Sequence, residues 1–395
     1  MTVDTNRYRP GRNHTSRTAP VVPPIYQTTT FELDDSSYED IQGTGGLHAT
    51  WYSRFNNPTV DAAAAEVARL HEARQSLMTS SGMAAIATTL LTLLRSGDVL
   101  LASRQVYGDT DDLLNRDLPQ LGITVVRVDA FDVDAWAEAV EQHHPAVLYG
   151  ETMSNPQLRI LDIPALSRLA RGAGARLVVD NTFATPYCAR PLQLGADVVV
   201  ESATKFLAGH SDVIAGAVTT DSLLLHEEIQ RRLITLGGCL DPHAAFLAWR
   251  GMRTFGVRMA ESCRAAAALA ATMAAEAGVE HVRHPSRPDH PDAGAVVDAV
   301  MPGAKGAMVA LVVEGGDERV LAVLRSLSVA VEATSLGGVE TLASVPFNSS
   351  HFNMTAAQRL EAGIPPGLLR LSVGLEGEET LVADLRQALA RSTSA

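Results

Sequence analysis

Residues 177–182 read LVVDNT, and residues 198–205 read VVVESATK. Each stretch begins as a continuous apolar run rich in valine, a pattern typical of a strand buried on both faces. Polar residues follow each run, with Asp180 directly after the first and Lys205 shortly after the second. Because ligands of open parallel sheets bind beyond the carboxyl ends of the strands, the two stretches predict an α/β sheet with a polar site along one edge.

The same kind of apolar run recurs between residues 59 and 245, at Ser76–Thr79, Val99–Ala102, Val125–Val128, Ala146–Tyr149 and Ala215–Val218. Helical patterns occur between these runs at Asp61–Leu70, Met83–Leu94 and Ile163–Ala173. Alternation of strands and helices predicts a mostly parallel sheet with helices on both sides.

The regions outside this alternation predict two further parts. Residues 1–58 are rich in Pro, Thr, Asn and Gly and predict an extended N-terminal arm that packs on another surface. A long helical region, Pro242–Ala277, spans the predicted boundary near residues 245–260. The shorter elements after it predict a smaller α+β domain; they are Met308–Val313, Glu318–Leu327, Val329–Glu332, Leu369–Val373 and Glu379–Arg391. The predicted division is therefore an arm at 1–58, a large domain at 59–250 and a C-terminal domain at 251–395.

Composition narrows the class of protein. Of the 395 residues, 46% are hydrophobic and 19% are charged, which is enough apolar material for a sizeable core. The net charge is −13 without a basic stripe, which argues against nucleic-acid binding. Three cysteines without a C-x-x-C pair favour a reducing compartment. We identify no signal peptide and no membrane-spanning run, so the sequence predicts a cytoplasmic protein.

Asp180 and Lys205 together suggest a particular chemistry. A lysine with a lowered pKa can hold an aldehyde cofactor as a Schiff base. A carboxylate can keep the ring nitrogen of pyridoxal phosphate protonated, so that the ring accepts electrons. The alternative is that Lys205 is a solvated loop lysine and that Asp180 caps a helix.

Residues 80–83, SSGM, open a predicted helix and suggest a phosphate site. Free amide groups and the helix dipole favour an anion there, and Gly82 permits close approach of the backbone. Ser202 and Thr204 offer hydroxyl groups from the neighbouring turn, although a plain serine cap explains Ser80 or Ser81 equally well. Tyr107, also at a strand end, is either a residue that stacks on the cofactor ring or an ordinary aromatic at the rim.

Other chemistries have less support. We find no P-loop and no G-x-S-x-G. We also find no G-x-G-x-x-G, because the glycines at 43–46 have the wrong spacing and follow no strand. The histidines at 143–144 and at 281, 284 and 290 lack a convincing metal-ligand spacing. They are interpreted as solvated or loop histidines, and no metal is predicted.

The chain closely resembles the Cys/Met-metabolism family of fold-type I pyridoxal-phosphate enzymes. Its matching motifs follow the family order and cover nearly the whole chain: PVVPPIYQTTTF (20–31), YSRFNNP (52–58), SSGM (80–83), YG (107–108), NP (155–156), VDNT (179–182), SATK (202–205), SLGG (335–338) and LRLSVGL (369–375). The resemblance implies a pyridoxal 5'-phosphate enzyme with a large domain, a smaller C-terminal domain and an N-terminal arm.

The resemblance also implies roles for single residues. Lys205 would carry the cofactor and move protons, Asp180 would pair with its ring nitrogen, and Tyr107 would stack on the ring and protonate the leaving group. The phosphate would be held by Gly82, Met83, Ser202 and Thr204, and by Tyr52 and Arg54 of a neighbouring subunit in a homotetramer. The substrate carboxylate would be held by Asn155, Ser335 and Arg370, and Asn155 would also bind the cofactor beside its hydroxyl group. Without the family resemblance, Arg370 would be interpreted as a strand arginine in an ion pair.

The family's reactions leave the substrate open. Asp109 stands where cystathionine-handling members usually carry glycine and methionine γ-lyases carry cysteine. Thr334 stands where cystathionine-handling members usually carry glutamate, and residues 344–354 also depart from the family pattern. These differences favour a lyase that acts by γ-elimination on a small thioether such as methionine. The alternatives are a cystathionine γ-lyase, a γ-replacement transferase that uses an activated homoserine, and a non-catalytic protein on the same scaffold.

Overall fold

The computed structural model describes residues 20–349 and 354–392. Its strands are β1 (Gln75–Thr79), β2 (Val99–Ser103), β3 (Thr124–Val128), β4 (Val147–Glu151), β5 (Arg176–Asp180), β6 (Val198–Glu201), β7 (Gly216–Thr220), β8 (Val279–Arg283), β9 (Met308–Val313), β10 (Val331–Glu332), β11 (Leu342–Ser344) and β12 (Leu368–Ser372). The first 19 residues of the predicted arm, and residues 350–353 of the segment that departs from the family pattern, lie outside the described residues.

The α-helices are α1 (Asp35–Thr44), α2 (Pro58–His71), α3 (Gly82–Leu93), α4 (Gly108–Asp112), α5 (Leu118–Gln120), α6 (Val133–His143), α7 (Ile163–Ala173), α8 (Thr185–Cys188), α9 (Leu223–Leu236), α10 (Pro242–Met252), α11 (Phe255–Met273), α12 (Ala295–Val300), α13 (Gly316–Ser326), α14 (Ala356–Glu361) and α15 (Glu378–Ser392). A π-helical turn, Leu113–Asp117, joins α4 to α5, and a 3-10 turn, Pro346–Asn348, follows β11. Within the described residues, no helix is both long and apolar enough to cross a membrane.

Strands β1 to β7 form one sheet in the order β1-β7-β6-β5-β4-β2-β3. The run from β3 to β6 is parallel, and β7 is antiparallel to both of its neighbours. Successive residues of a central strand pack on opposite faces, so that Leu148 and Val179 join one apolar cluster while Val147 and Val178 join another. Both faces of the sheet are therefore buried, as the continuous apolar runs predict, and the α/β class is confirmed.

Local sequence signals explain where the helices begin and end. Helix α2 begins after Asn57, whose side chain accepts from the amide of Thr59, and it has Pro58 at its first position. Helix α7 begins after Asp162, whose side chain accepts from the amide of Ala165, and ends at a left-handed Gly174. These caps place the helices against the sheet without leaving the exposed ends of their backbones unpaired.

Two elements differ from the predictions. The arm contains helix α1, capped by Asp34 and ended by Gly45, where composition predicted extended chain. The predicted helical region 242–277 is two helices that are interrupted at residues 253–254. Arg258 explains the interruption, because its guanidinium donates to the carbonyls of Gly251 and Phe206 and so binds the turn to the segment after Lys205.

Strands β8 to β12 form the second sheet, in the order β10-β11-β12-β9-β8, and helices α11, α13 and α15 pack with it. Met308 and Leu368 of this sheet belong to the same apolar cluster as Leu148 and Val179 of the first. The two sheets thus share buried contacts, and the predicted boundary near residue 250 stays a prediction.

Candidate active site

The carboxyl ends of several strands bring the predicted polar residues to one edge of the large sheet. Asp180 is in register with Glu151 of β4 and Val200 of β6. Strands β1 and β6 are both antiparallel to β7 and so point the same way, which places the turn before Gly82 on that edge as well. The sheet therefore gathers segments that are far apart in the sequence.

Asp180 is a buried carboxyl group, 9% exposed, at the end of β5. One of its oxygens, Oδ1, accepts from the amide of Thr182 at 2.9 Å, which is a turn-capping contact. Burial raises the pKa of Asp180 to about 6, and the charge of Glu201 adds to the rise. A cationic N–H partner would offset this cost of burial, so the site suits a protonated ring nitrogen.

Lys205 is half-buried rather than solvated, and its Nζ donates to Oγ of Ser335 at 2.6 Å. Burial lowers the pKa of the lysine, and the nearby charge of Arg370 lowers it further. A lowered pKa increases the fraction of neutral amine, which is the form that attacks an aldehyde. The sequence contains a second lysine, Lys305, whose Nζ donates to the carboxylate of Asp298 instead.

Arg370 lies buried on β12, where its guanidinium donates to Oδ1 of Asn155 at 3.0 Å and to the carbonyl of Ser335 at 3.1 Å. Burial lowers the pKa of Arg370 to about 10, so it stays charged at neutral pH. Among the described residues it forms no ion pair with a carboxylate, which removes the support for a structural ion pair. A buried cation with only neutral partners is suited to bind an anion, such as the carboxylate of an amino acid.

Ser335 connects the two cationic groups. Its backbone has φ +81°, a conformation that non-glycine residues seldom adopt. Its hydroxyl contacts Lys205 while its carbonyl contacts Arg370. Strained backbone of this kind recurs at functional sites. Here Ser335 binds the amine of Lys205 through its side chain and the guanidinium of Arg370 through its backbone.

The start of α3 has the features that an anion site requires. The side chain of Ser81, rather than Ser80, caps the helix by accepting from the amide of Ala84 at 3.0 Å. The first amides of the helix, at Gly82 and Met83, have no partner inside the helix. A Cβ placed on Gly82 would come within 2.8 Å of Cβ of Ser202, so the close approach of these two turns requires glycine.

Ser202 and Thr204 differ in the use of their hydroxyl groups. Oγ1 of Thr204 donates to the carbonyl of Ala215 at 3.1 Å and accepts from the amide of the same residue at 2.9 Å. Ser202 is held through its amide, which donates to Oγ1 of Thr182. The hydroxyl of Ser202 is thus the better placed of the two to donate to a phosphate.

Tyr107 follows β2 and keeps 43% of its surface exposed. Its amide donates to Oε1 of Glu151 at 2.5 Å, and its hydroxyl donates to Oδ2 of Asp109 at 2.8 Å. Burial of the hydroxyl and its contact with Asp109 raise the pKa of Tyr107 to about 12, so the residue is a neutral phenol across the physiological range. An anchored, partly exposed ring at this edge fits a residue that stacks on a cofactor.

Tyr52 and Arg54 lie elsewhere in the same chain. Nη1 of Arg54 donates to the carbonyl of Ile234 on α9 at 2.9 Å, and its guanidinium lies 5.3 Å from the ring centre of Tyr52. These contacts hold the arm against its own subunit and not against the turn at Gly82.

Three buried residues were missed as contributors to the site. Nε2 of His71 lies 2.6 Å from Oε2 of Glu201, and both side chains are almost wholly buried. Burial and the charge of Asp180 raise the pKa of Glu151 well above its usual value. The positions of Glu151 and Glu201 at strand ends are a signal that could have found them, whereas nothing in the sequence pairs His71 with Glu201.

The histidine-rich segment is a loop, as interpreted, but two of its histidines are not solvated. His284 and His290 are buried, and their Nε2 atoms lie 3.1 Å and 3.0 Å from the carbonyls of Gly306 and Leu158. They hold the loop to the domain instead of facing solvent. In the part of the chain that the structure describes, no group of three or more His, Cys, Asp or Glu side chains could hold a metal ion.

The donor set at this edge fits pyridoxal phosphate. When the cofactor is bound, Asp180 would offer a buried carboxyl to the ring nitrogen and the half-buried Lys205 would offer an amine to the aldehyde. The start of α3 would offer amides to the phosphate. A Cβ on Gly82 would fill the space between the start of α3 and Ser202, where the phosphate would bind.

Comparison with known proteins gives the same result. A family described as "Cys/Met metabolism PLP-dependent enzyme" matches residues 4–390. L-methionine gamma-lyase of Pseudomonas putida is 38% identical over 373 residues, covering 94% of this chain and 93% of that protein. Cystathionine gamma-lyase of Bacillus subtilis is 38% identical over 374 residues, covering 94% and 95%.

Solved structures are similar over the same extent. Cystathionine gamma synthase from Xanthomonas oryzae pv. oryzae, in complex with aminoacrylate and cysteine, has a TM-score of 0.89 and 36% identity, covering 96% of this chain and 95% of that chain. These comparisons confirm the resemblance drawn from the motifs, the fold of a pyridoxal-phosphate enzyme, the cofactor and the carbon–sulfur lyase class. The likeness to a synthase fits the γ-replacement alternative.

Proposed function

Because the chain belongs to the family of Cys/Met metabolism PLP-dependent enzymes, we propose that it removes the γ-substituent of a sulfur amino acid, with L-methionine as its main substrate. With methionine and water, the products are 2-oxobutanoate, ammonia and methanethiol. The observation that carries this proposal is the double contact of Ser335 with Lys205 and Arg370. It puts an amine of lowered pKa beside a buried cation that has no counter-ion among the described residues.

We assign the roles of the side chains as follows. Arg370 and Asn155 bind the substrate carboxylate, which orients the α-hydrogen toward Nζ of Lys205. Lys205 removes that proton and then a proton from Cβ, which releases the electron pair that expels the γ-substituent. Asp180 would keep the ring nitrogen protonated. Pyridoxal phosphate, when bound, supplies the electron sink for this chemistry. Oη of Tyr107 donates a proton to the sulfur as the bond to Cγ breaks.

Cystathionine is the second candidate substrate, and the shape of the site favours it in one respect. A cavity of about 490 Å³ lies beside Ser335 and Thr204, and Thr334, Asp212 and Glu340 also line it. It has room for a substituent longer than the methyl group of methionine, and its carboxylates can attract a distal ammonium group. Thr334 itself carries no charge, which favours methionine.

A substrate panel separates these possibilities. Purified holoenzyme is incubated with L-methionine, with cystathionine and with O-acylhomoserines, each in the presence and absence of a thiol. We expect 2-oxobutanoate from methionine without any thiol. Product that requires an O-acylhomoserine together with a thiol would instead establish the γ-replacement transferase.

The change Thr334→Glu is expected to shift preference from methionine toward cystathionine. A glutamate at this wall of the cavity can pair with the distal ammonium group, and a charge-assisted contact is worth about 1.5–3 kcal/mol when well formed. The ratio of kcat/KM for cystathionine over methionine should rise about tenfold or more. Thr334→Gln is the control of similar size, and an equal rise in both variants would show that charge is not the cause.

We also propose a homotetramer built from two-fold dimers in which each active site takes Tyr52 and Arg54 from the neighbouring chain. In its own chain, Arg54 contacts Ile234 rather than the turn at Gly82, which leaves the phosphate cradle to be completed from outside. A two-fold contact would supply both sites of a dimer equally. We place the protein in the cytoplasm, which its three free cysteines support.

Subunit mixing tests the shared site. Arg54→Ala and Lys205→Ala are each expected to be nearly inactive alone. In a mixed dimer, one site receives both defects and the other receives neither, so co-refolded equal mixtures should regain up to about one quarter of wild-type activity. If subunit exchange is verified and no activity returns, Arg54 acts within its own chain.

A further inference from the structure

The contact between Tyr107 and Asp109 is a feature that the proposed mechanism does not use. Oη of Tyr107 donates to Oδ2 of Asp109 at 2.8 Å, and both side chains lie on the open side of the site. Since Tyr107 stays protonated, the pair carries one net negative charge at neutral pH. Within the described residues, Asp109 forms no ion pair that would cancel this charge.

Helix α4 holds the pair in place. The amide of Tyr107 is bound by the carboxylate of Glu151, which anchors the start of the helix to the end of β4. Arg127 on β3 pairs with Asp111 at 2.6 Å, and Oγ1 of Thr110 contacts the sulfur of Met83 at 3.7 Å. Arg127 is therefore engaged by Asp111 and Arg116 by Asp112, whereas the carboxylate of Asp109 accepts from the phenol of Tyr107.

We propose that Asp109 determines substrate specificity, because its charge, held beside the hydroxyl of Tyr107, excludes amino acids whose γ-substituent ends in an anion. This inference rests on the proposed function, which places the hydroxyl of Tyr107 at the departing γ-substituent. The substrate class is then an amino acid whose γ-substituent has a neutral or positive net charge, which includes the zwitterionic end of cystathionine. Substituents of negative net charge, ending in a phosphate or in a carboxylate without an ammonium group, are excluded. Asp212 and Glu340, which line the cavity beside Ser335, carry the same sign of charge.

Equilibrium binding tests the inference without turnover. The probes are two unreactive amino acids of similar length, L-norleucine with a neutral end and L-2-aminoadipate with a carboxylate end. Their dissociation constants are measured from the change in visible absorption of the bound cofactor. The wild type should bind norleucine at least tenfold more tightly than aminoadipate.

The change Asp109→Asn keeps an acceptor for Tyr107 and removes the charge. The dissociation constant of aminoadipate divided by that of norleucine should fall about tenfold. That is the effect of removing one like charge several ångströms away at an intermediate dielectric. Asp112→Asn is the matched control, because Asp112 lies on the same helix and pairs with Arg116 at the surface; its ratio should stay at the wild-type value.

An unchanged ratio in Asp109→Asn, or an equal change in both variants, would overturn the inference. If the wild type forms no 2-oxobutanoate from methionine, that result counts against the proposed function alone, because the binding measurement requires no turnover.

Discussion

Lys205→Ala is expected to abolish turnover, with a loss of at least about 10³-fold in kcat, while the protein keeps its fold and binds the cofactor only noncovalently. The reason is that Lys205 supplies the amine of the site, and the other lysine of the sequence, Lys305, is engaged with Asp298 and the carbonyl of Met301. Activity is measured as 2-oxo acid formation, and folding is checked by circular dichroism.

Lys305→Ala is the matched control and should keep both activity and covalent cofactor. Borohydride reduction of the wild-type holoenzyme, followed by peptide mass spectrometry, should find the added cofactor mass on the peptide that contains Lys205. Repeated turnover by Lys205→Ala, or cofactor mass on Lys305, would refute the assignment.

Asp180→Ala is expected to reduce kcat roughly a hundredfold or more, whereas Asp180→Glu should lose far less. Removal of one member of a buried ion pair costs about 3–5 kcal/mol, and the ring nitrogen would lose the carboxylate that keeps it protonated. Both variants are compared by kcat and by the absorption spectrum of the bound cofactor.

Asp180→Asn distinguishes the role of the negative charge from the role of the hydrogen bond that caps the turn. Asparagine can still accept from the amide of Thr182 but cannot hold a cation, so it should be nearly as impaired as alanine. Mild and equal effects in all three variants would mean that Asp180 only caps the turn.

Much of the sheet could be predicted because burial on both faces imposes continuous apolar runs. Residues such as Asp180 could be predicted as well, since a strand end fixes where the next polar side chain emerges. The helix in the arm could not, because its residues are mostly polar and its stability depends on caps such as Asp34 and Gly45.

Contacts between distant segments account for most of what sequence reasoning missed. His71 meets Glu201 from a helix 130 residues away, and the burial of His284 depends on a carbonyl of a different loop. Without the family resemblance, Arg370 would have been interpreted as a strand arginine in an ion pair, but its partners are an amide oxygen and a carbonyl. Such pairings are set by tertiary packing and leave no local pattern.

The most direct test of the γ-elimination proposal is identification of the 2-oxo acid that purified holoenzyme forms from L-methionine in the absence of other amino acids and thiols. We predict 2-oxobutanoate together with equal amounts of ammonia and methanethiol, and none of these from Lys205→Ala. A 2-oxo acid that retains the methylthio group, or the absence of any 2-oxo acid, would contradict the account.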